Sequence, residues 1–451
     1  MTDIATLLSQ DFHAIWHPYT RFSTLREHQL PVLCRGEGMH LYTPDGRAFV
    51  DAISSWWCCA LGHSHPAIVR AIQSQAGQLQ HSILGNLTHP QAIRLAHRLA
   101  HLLPTRDRHT LFASDGSSAI EQAVKIAVQY RHNTGETQRR KIACLTSAYH
   151  GDTLGSMSLG YVEAFHRPFR ELLFSAVRLP FPQCPCRMTR DIAPGHSEPD
   201  PACTASCFAE AEAILEEVAE ELTAVVVEPM VQGAAGMRMH GAGWLSSLAT
   251  WCRNHDVLLI LDEIATGFGR TGELFAFHHA AGVDPDILCL GKALTAGSLP
   301  LSATVVKDFI YRTFADLDED HTLQHGHTFC GNPIAAAAAN AALDVYLAPE
   351  FLTGVRELAG LLRTGLEPCR EIPGVRDVRC LGLVGAVELE PHHGRPADSR
   401  AHQIRRHLQD QGILLRPIGD VLYLMPPLII DQTTLDWLIR EFIQAISTVA
   451  R

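Results

Sequence analysis

The chain has 451 residues, about three times an ordinary domain, and is 46% hydrophobic, 19% charged and 7% aromatic, so it buries its own core and is neither a crosslinked miniprotein nor a disordered segment. Its 37 basic and 48 acidic residues leave a formal charge of −11 with no long basic block, which argues against nucleic acid as a partner. Apolar runs such as Val257–Leu261 and Ala335–Ala339 fall short of the ~18–20 residues of a membrane span, and Met1-Thr2-Asp3-Ile4 lacks the features of a signal peptide, so no membrane association and a cytoplasmic location are expected.

Before about residue 65 the pattern is irregular, with a turn at Thr43-Pro44-Asp45-Gly46 between short β-like pieces. Helices are predicted near 66–79 and 89–103, then a strand at His109–Ala113 and a helix at 118–131 with apolar residues at three- and four-residue spacing. Further strands are predicted at Lys141–Thr146, Ala224–Glu228, Leu258–Asp262, Ile287–Leu290 and Ser302–Val306. Such short, wholly apolar runs imply strands covered on both faces of a largely parallel sheet. The Pro- and Cys-rich stretch 180–205 reads as an insertion. After Pro333 come an alanine-rich helix, a strand at Val384–Leu389, a helix near 398–411, a strand at Leu422–Met425 and a final helix. The expected architecture is α/β, with a large domain at 66–332 and a smaller α+β domain from 1–65 and 333–451.

Most of the 13 cysteines are single and lie in apolar elements, Cys144, Cys252 and Cys289 among them, as small buried hydrophobes do. Cys184, Cys186, Cys203 and Cys207, with His196 between, lack the spacing of a common structural zinc site, so no metal is expected.

Chemistry concentrates at strand ends. Asp262 closes one apolar strand, and Lys292 follows the next, at the edge where open α/β sheets collect ligands. An acid and an amine delivered together suit pyridoxal phosphate, which needs one amine for a Schiff base and one carboxylate to keep its ring nitrogen protonated. A structural ion pair with a solvated lysine is the alternative. Ser114-Asp115-Gly116-Ser117-Ser118 joins a strand to a helix and would turn free N–H groups toward a phosphate, or would merely cap the helix. There Asp115 would repel phosphate unless its side chain caps the helix. Tyr149, in Tyr149-His150-Gly151, would stack on a planar cofactor, and Trp56-Trp57 would form a pocket wall; either set also suits core packing.

The stretch Leu258-Leu259-Ile260-Leu261-Asp262-Glu263-Ile264-Ala265-Thr266-Gly267-Phe268-Gly269-Arg270-Thr271-Gly272, with Lys292 lying 30 residues after Asp262, resembles the class III pyridoxal-phosphate-dependent aminotransferases of fold type I. The resemblance spans nearly the whole chain, including Glu228-Pro229 and His325-Gly326-His327-Thr328-Phe329-Cys330-Gly331-Asn332-Pro333. Within that class, Ile15-Trp16-His17-Pro18-Tyr19-Thr20, Ser54-Ser55-Trp56-Trp57, Arg416-Pro417 and Tyr423-Leu424-Met425-Pro426-Pro427 are similar to the adenosylmethionine-8-amino-7-oxononanoate aminotransferases of biotin synthesis.

The resemblance implies that Lys292 is catalytic and holds the cofactor. It also implies that Asp262 pairs with the ring nitrogen and that Gly116, Ser117 and Tyr149 contact the cofactor. His327 and Thr328 would reach the phosphate of a neighbouring subunit's cofactor, making the protein a homodimer. Tyr19, Trp56, Tyr149, Lys292, Gly326 and Arg416 would line the substrate site, where Arg416 offers a bidentate donor to the substrate carboxylate. The implied reaction converts 8-amino-7-oxononanoate to 7,8-diaminononanoate with S-adenosylmethionine as amino donor. Lysine as donor, an ω-aminotransferase using pyruvate or 2-oxoglutarate, and an aminomutase are the alternatives. Two positions depart from the family pattern: His327 stands where proline is common, and Asp115 alters the phosphate cup.

Overall fold

Alternate residues of the short apolar runs enter cores on opposite sides of a single seven-stranded sheet, which explains why those runs are apolar throughout. The computed structural model describes residues 3–20, 22, 30–182, 207–315, 321–394 and 398–449. Its main sheet comprises β1 (Arg108–Ala113), β2 (Lys141–Leu145), β3 (Val177–Leu179), β4 (Leu222–Val227), β5 (Leu258–Asp262), β6 (Ile287–Leu290) and β7 (Ser302–Lys307), in the spatial order β1-β7-β6-β5-β4-β2-β3. From β6 to β3 every neighbouring pair is parallel, whereas β7 runs antiparallel to both β6 and β1. Val225, Val227, Leu259 and Leu261 enter one core, and Ala224, Val226, Leu258 and Ile260 the other. The second core is closed by helix α1 (Gly116–Asn133), through Ala119, Ile120, Ala123, Ile126 and Ala127. Cys144, Cys252 and Cys289 are buried, as expected of small apolar side chains.

The expected fold class is borne out by this mainly parallel sheet with its covering helices. Helix α2 (Pro333–Tyr346) begins with Asn332 accepting from the N–H groups of Ile334 and Ala335, and Pro333 occupies its first turn, where no N–H is required. Its alanines are small enough to pack closely on the helix Pro66–Ala76. Residues from the two ends of the chain share one sheet. Strand Ala48–Asp51 pairs antiparallel with His40–Tyr42 and parallel with Ile413–Leu414. A second sheet joins Val375–Leu381, Val384–Leu389 and Val421–Leu424. The sequence reading did not include β3, the strand Val375–Leu381 or the helix Phe351–Leu366. Of the cysteine-rich insertion only its beginning and Cys207 lie within the described residues; Cys184, Cys186, His196 and Cys203 lie outside them.

Arg270 ties these parts together. It is 2% exposed, and its guanidinium donates to the carbonyls of Leu383 (3.2 Å) and Pro426 (2.6 Å) and to Ser54 Oγ (3.1 Å), with burial lowering its pKa to about 10. Arg270→Ala strands two buried carbonyls and is expected to cost about 3 kcal/mol or more. A lowered thermal unfolding midpoint checks this.

Candidate active site

The carboxyl ends of the parallel strands converge on one edge, and each delivers part of a site. β5 ends in Asp262, which is 5% exposed. One carboxylate oxygen accepts from the Ile264 N–H at 3.0 Å, and the other is hydrogen-bonded to Nδ1 of buried His150 at 2.7 Å. The remaining ring nitrogen of His150, Nε2, is buried with no hydrogen-bond partner. β4 is followed by Glu228, whose carboxylate accepts from the N–H groups of Tyr149 (3.1 Å) and Gly233 (3.2 Å). Burial pushes Glu228 up to about 7, and it does the same to buried Glu263 next to Asp262.

β6 leads through Gly291 to Lys292, whose backbone adopts the left-handed region at φ 43°. A lysine there is strained, as residues at functional sites often are. Its Nζ lies 5.0 Å from the centroid of the buried Trp57 ring and has no hydrogen bond or ion pair with a described residue. Burial lowers its pKa, opposed by the charges of Asp262, Glu228 and Cys58. An amine with a lowered pKa and no polar partner is available for covalent chemistry. Trp57 is fixed in turn by Nε1 donating to the Tyr423 hydroxyl at 3.0 Å.

β1 leads into the N-terminus of α1. Asp115 accepts from Ser118 N–H (3.0 Å) and from the Ser118 hydroxyl (2.8 Å), so its side chain caps the helix. The N-terminus of an 18-residue helix therefore opens at Gly116 and Ser117, with partial positive charge suited to an anion. Ser117 Oγ accepts from the Asp152 N–H at 3.1 Å, joining this turn to the loop after β2. Gly151 has φ +124°, and a Cβ on it would lie 2.0 Å from Ser117 Oγ. Gly151→Ala is thus expected to destabilise the fold by about 1–3 kcal/mol, through backbone strain and displacement of Ser117, read from thermal unfolding.

A second group forms the outer wall. Arg416 Nη2 donates to the Tyr19 carbonyl at 2.8 Å, and its guanidinium lies 4.7 Å from the Trp56 ring centroid and 6.0 Å from that of Tyr19. Tyr19 meets Trp56 edge to face at 5.8 Å. The hydroxyls of Tyr19 (2.5 Å) and Tyr149 (2.9 Å) donate to opposite oxygens of Asp152. Burial and these bonds raise Tyr19 to about 12 and push Tyr149 well above its ordinary value, so both phenols stay protonated. Tyr149 also stacks on His166, with ring centroids 6.2 Å apart.

Of the residues singled out in the sequence, Asp262, Lys292, Gly116, Ser117 and Tyr149 thus gather at the sheet edge, and Tyr19, Trp56 and Arg416 form one wall. Gly326, His327 and Thr328 do not join them within this chain. Gly326 and Thr328 are exposed, and their neighbour His325 meets Lys125 on α1 at 3.0 Å. Sequence reasoning did not single out His150, Asp152 or Glu228 as site residues. His150 stood beside Tyr149, and Glu228 ends an apolar strand just as Asp262 does. Asp152 carried no signal of its own.

The donor set fits pyridoxal phosphate: an unpaired lysine amine, a carboxylate anchored by an otherwise unpartnered histidine, a helix N-terminus and an aromatic ring. Structures with the same fold include an adenosylmethionine-8-amino-7-oxononanoate aminotransferase from Methanocaldococcus jannaschii (TM-score 0.89, 34% identity, 99% of both chains) and an (S)-enantioselective omega-transaminase from Thermomicrobium roseum (TM-score 0.89, 32% identity, 99% of both chains). In sequence, the chain is 39% identical to an adenosylmethionine-8-amino-7-oxononanoate aminotransferase from Nitratidesulfovibrio vulgaris, over 99% of this chain and 82% of that one. It is 37% identical to the enzyme of the same name from Geobacter sulfurreducens, over 99% and 98%. The model of the family described as aminotransferase class-III matches residues 23–446, and the chain belongs to that family.

Proposed function

We propose that this class III aminotransferase converts 8-amino-7-oxononanoate to 7,8-diaminononanoate with S-adenosylmethionine as amino donor and pyridoxal phosphate as cofactor. The substrate and donor follow the names of relatives that match over nearly the full chain. The observation that carries the reading is the wall of Tyr19, Trp56 and Arg416. Arg416 uses one N–H on the Tyr19 carbonyl and, as a five-donor fork resting on an indole, keeps others for a carboxylate at the end of an aliphatic substrate. The fold itself does not separate this reading from an ω-aminotransferase, because the Thermomicrobium roseum enzyme matches with an equal TM-score.

Pyridoxal phosphate, when bound, supplies an electron sink for the carbon that loses its proton. Asp262 would hold the proton on the ring nitrogen, and His150 holds Asp262 in place. The N–H groups of Gly116 and Ser117 and the Ser117 hydroxyl would bind the phosphate, while Tyr149 would cover the ring. Lys292 would hold the cofactor, and its amine, kept more neutral by burial, would take the proton from the donor's amine-bearing carbon. The acceptor half-reaction runs through the same groups in reverse.

In the same reading Gly326, His327 and Thr328 complete the site of a second subunit, which accounts for the exposure of Gly326 and Thr328 here and makes the enzyme a homodimer. The chain divides into a large domain at 66–332 and a small one from 1–65 and 333–451, with the site between them. A cytoplasmic location belongs to this reading. Among the described residues no helix is long and apolar enough to cross a membrane. Single-turnover spectroscopy of the cofactor-loaded protein tests the function. S-adenosylmethionine alone is expected to bleach the visible absorbance, and 8-amino-7-oxononanoate to restore it. Bleaching by lysine alone would change the donor, and bleaching by simple ω-amines alone would overturn the substrate assignment.

A further inference from the structure

The reaction proposed above makes no use of Cys58 and Cys59, which follow directly on Trp57. Their sulfurs lie 4.0 Å apart; Cys58 is partly exposed and Cys59 is buried behind it. The N–H groups of both donate to the Ser54 carbonyl, at 3.0 and 3.1 Å. Gly297, whose N–H closes back on the Lys292 carbonyl, presses on the Cys58–Cys59 peptide so closely that a Cβ there would meet it at 2.8 Å. The two thiols are thus held against the segment that carries Lys292.

The thiols differ in character. The Cys59 thiol beside it lowers the pKa of Cys58, opposed by burial and helped by the Trp56 backbone. Cys59 is pushed up by Cys58 and by burial. A partly exposed thiol with a second, buried thiol 4.0 Å away has the arrangement of a peroxide-sensing cysteine and its resolving partner.

We propose that Cys58 and Cys59 are a peroxide-reactive pair that closes to a vicinal disulfide beside Lys292. The Cys58 thiolate attacks one oxygen of hydrogen peroxide, the O–O bond breaks, and hydroxide leaves and is protonated to water. Sulfur is oxidised to sulfenic acid and the peroxide is reduced. The Cys59 thiol then gives up its proton, its sulfur attacks that of Cys58, the S–O bond breaks, and a second water leaves with that proton. Two thiols and one peroxide yield one disulfide and two waters. Adjacent Cα atoms sit about 3.8 Å apart, short of the roughly 4.4–6.8 Å usual for disulfides, so the bridge is strained and readily reduced by thiols. The inference rests on the placement of the thiols and holds whichever amino donor the enzyme uses.

The test treats the cofactor-loaded protein with equimolar hydrogen peroxide, blocks free thiols with iodoacetamide and weighs the tryptic peptide 48–70, whose only cysteines are these two. The expected peptide is about 2 Da lighter than the reduced form, carries no label, and regains both labels after dithiothreitol. In Cys59→Ser the sulfenic acid on Cys58 persists and is captured by dimedone. Two overturning results are clear: full labelling of both cysteines after a peroxide dose that oxidises the exposed Cys34, or Cys58 advancing to sulfinic acid with no lighter peptide. The wild-type mass decides even if the variant does not fold.

Discussion

Lys292→Ala is expected to abolish transamination, with a loss of at least about 10⁴-fold in single-turnover rate, and to remove the visible absorbance of the cofactor-loaded protein. The magnitude follows from one side chain having two tasks. It is the amine with no other partner at the strand edge, and it is the base freed when the donor amine displaces it. The variant retains its fold, because the buried amine is held at a cost in desolvation and loses no hydrogen bond or ion pair on truncation. Its unfolding midpoint is expected to stay close to wild type, separating lost chemistry from lost structure. A small primary amine added to the solution is expected to restore part of the proton transfer, since the truncation leaves space where the Lys292 side chain lay. Activity within tenfold of wild type would remove Lys292 from the reaction.

The large sheet was legible because its strands are buried on both faces, and that produces an unbroken apolar run recognisable without knowledge of neighbours. The Asp262 and Lys292 positions were legible for the same reason: each is the first polar side chain after such a run. The direction of β7 was not, since a strand buried on both faces reads alike whether it runs parallel or antiparallel. Helix Phe351–Leu366 was hidden by Gly354, Gly360 and Gly365, which lower helix propensity. At Gly365 the reason is tertiary: a Cβ there would lie 2.8 Å from Ile439 of helix Gln432–Val449, so the close approach of two helices selects the glycine. In the site, the missing information was long-range. His150 meets a carboxylate 112 residues away, and Asp152 receives the hydroxyl of Tyr19 from 133 residues away. No local pattern encodes such a meeting. The left-handed backbone of Lys292 is equally silent in sequence, because lysine has no preference for it.

Asp262→Asn is expected to lower kcat/KM by about 10³-fold or more while leaving the protein folded. Asparagine keeps the shape, and its oxygen still accepts from the Ile264 N–H, but it carries no charge to hold a proton on the cofactor's ring nitrogen. His150→Ala leaves the charge and removes only its support, so the expected loss is smaller, about 10–100-fold. A second consequence has a definite sign. The Asp262 charge raises the pKa of Lys292 against the lowering effect of burial. Removing that charge lets the Lys292 pKa fall further, so the neutral amine appears at lower pH. In cofactor-free Asp262→Asn protein, the pH midpoint for covalent uptake of pyridoxal phosphate by Lys292 is therefore expected to move downward, as read from visible absorbance across a pH series. An unchanged or raised midpoint would mean that Asp262 does not act on Lys292 through its charge, and the role assigned to the carboxylate would have to be restricted to the ring nitrogen.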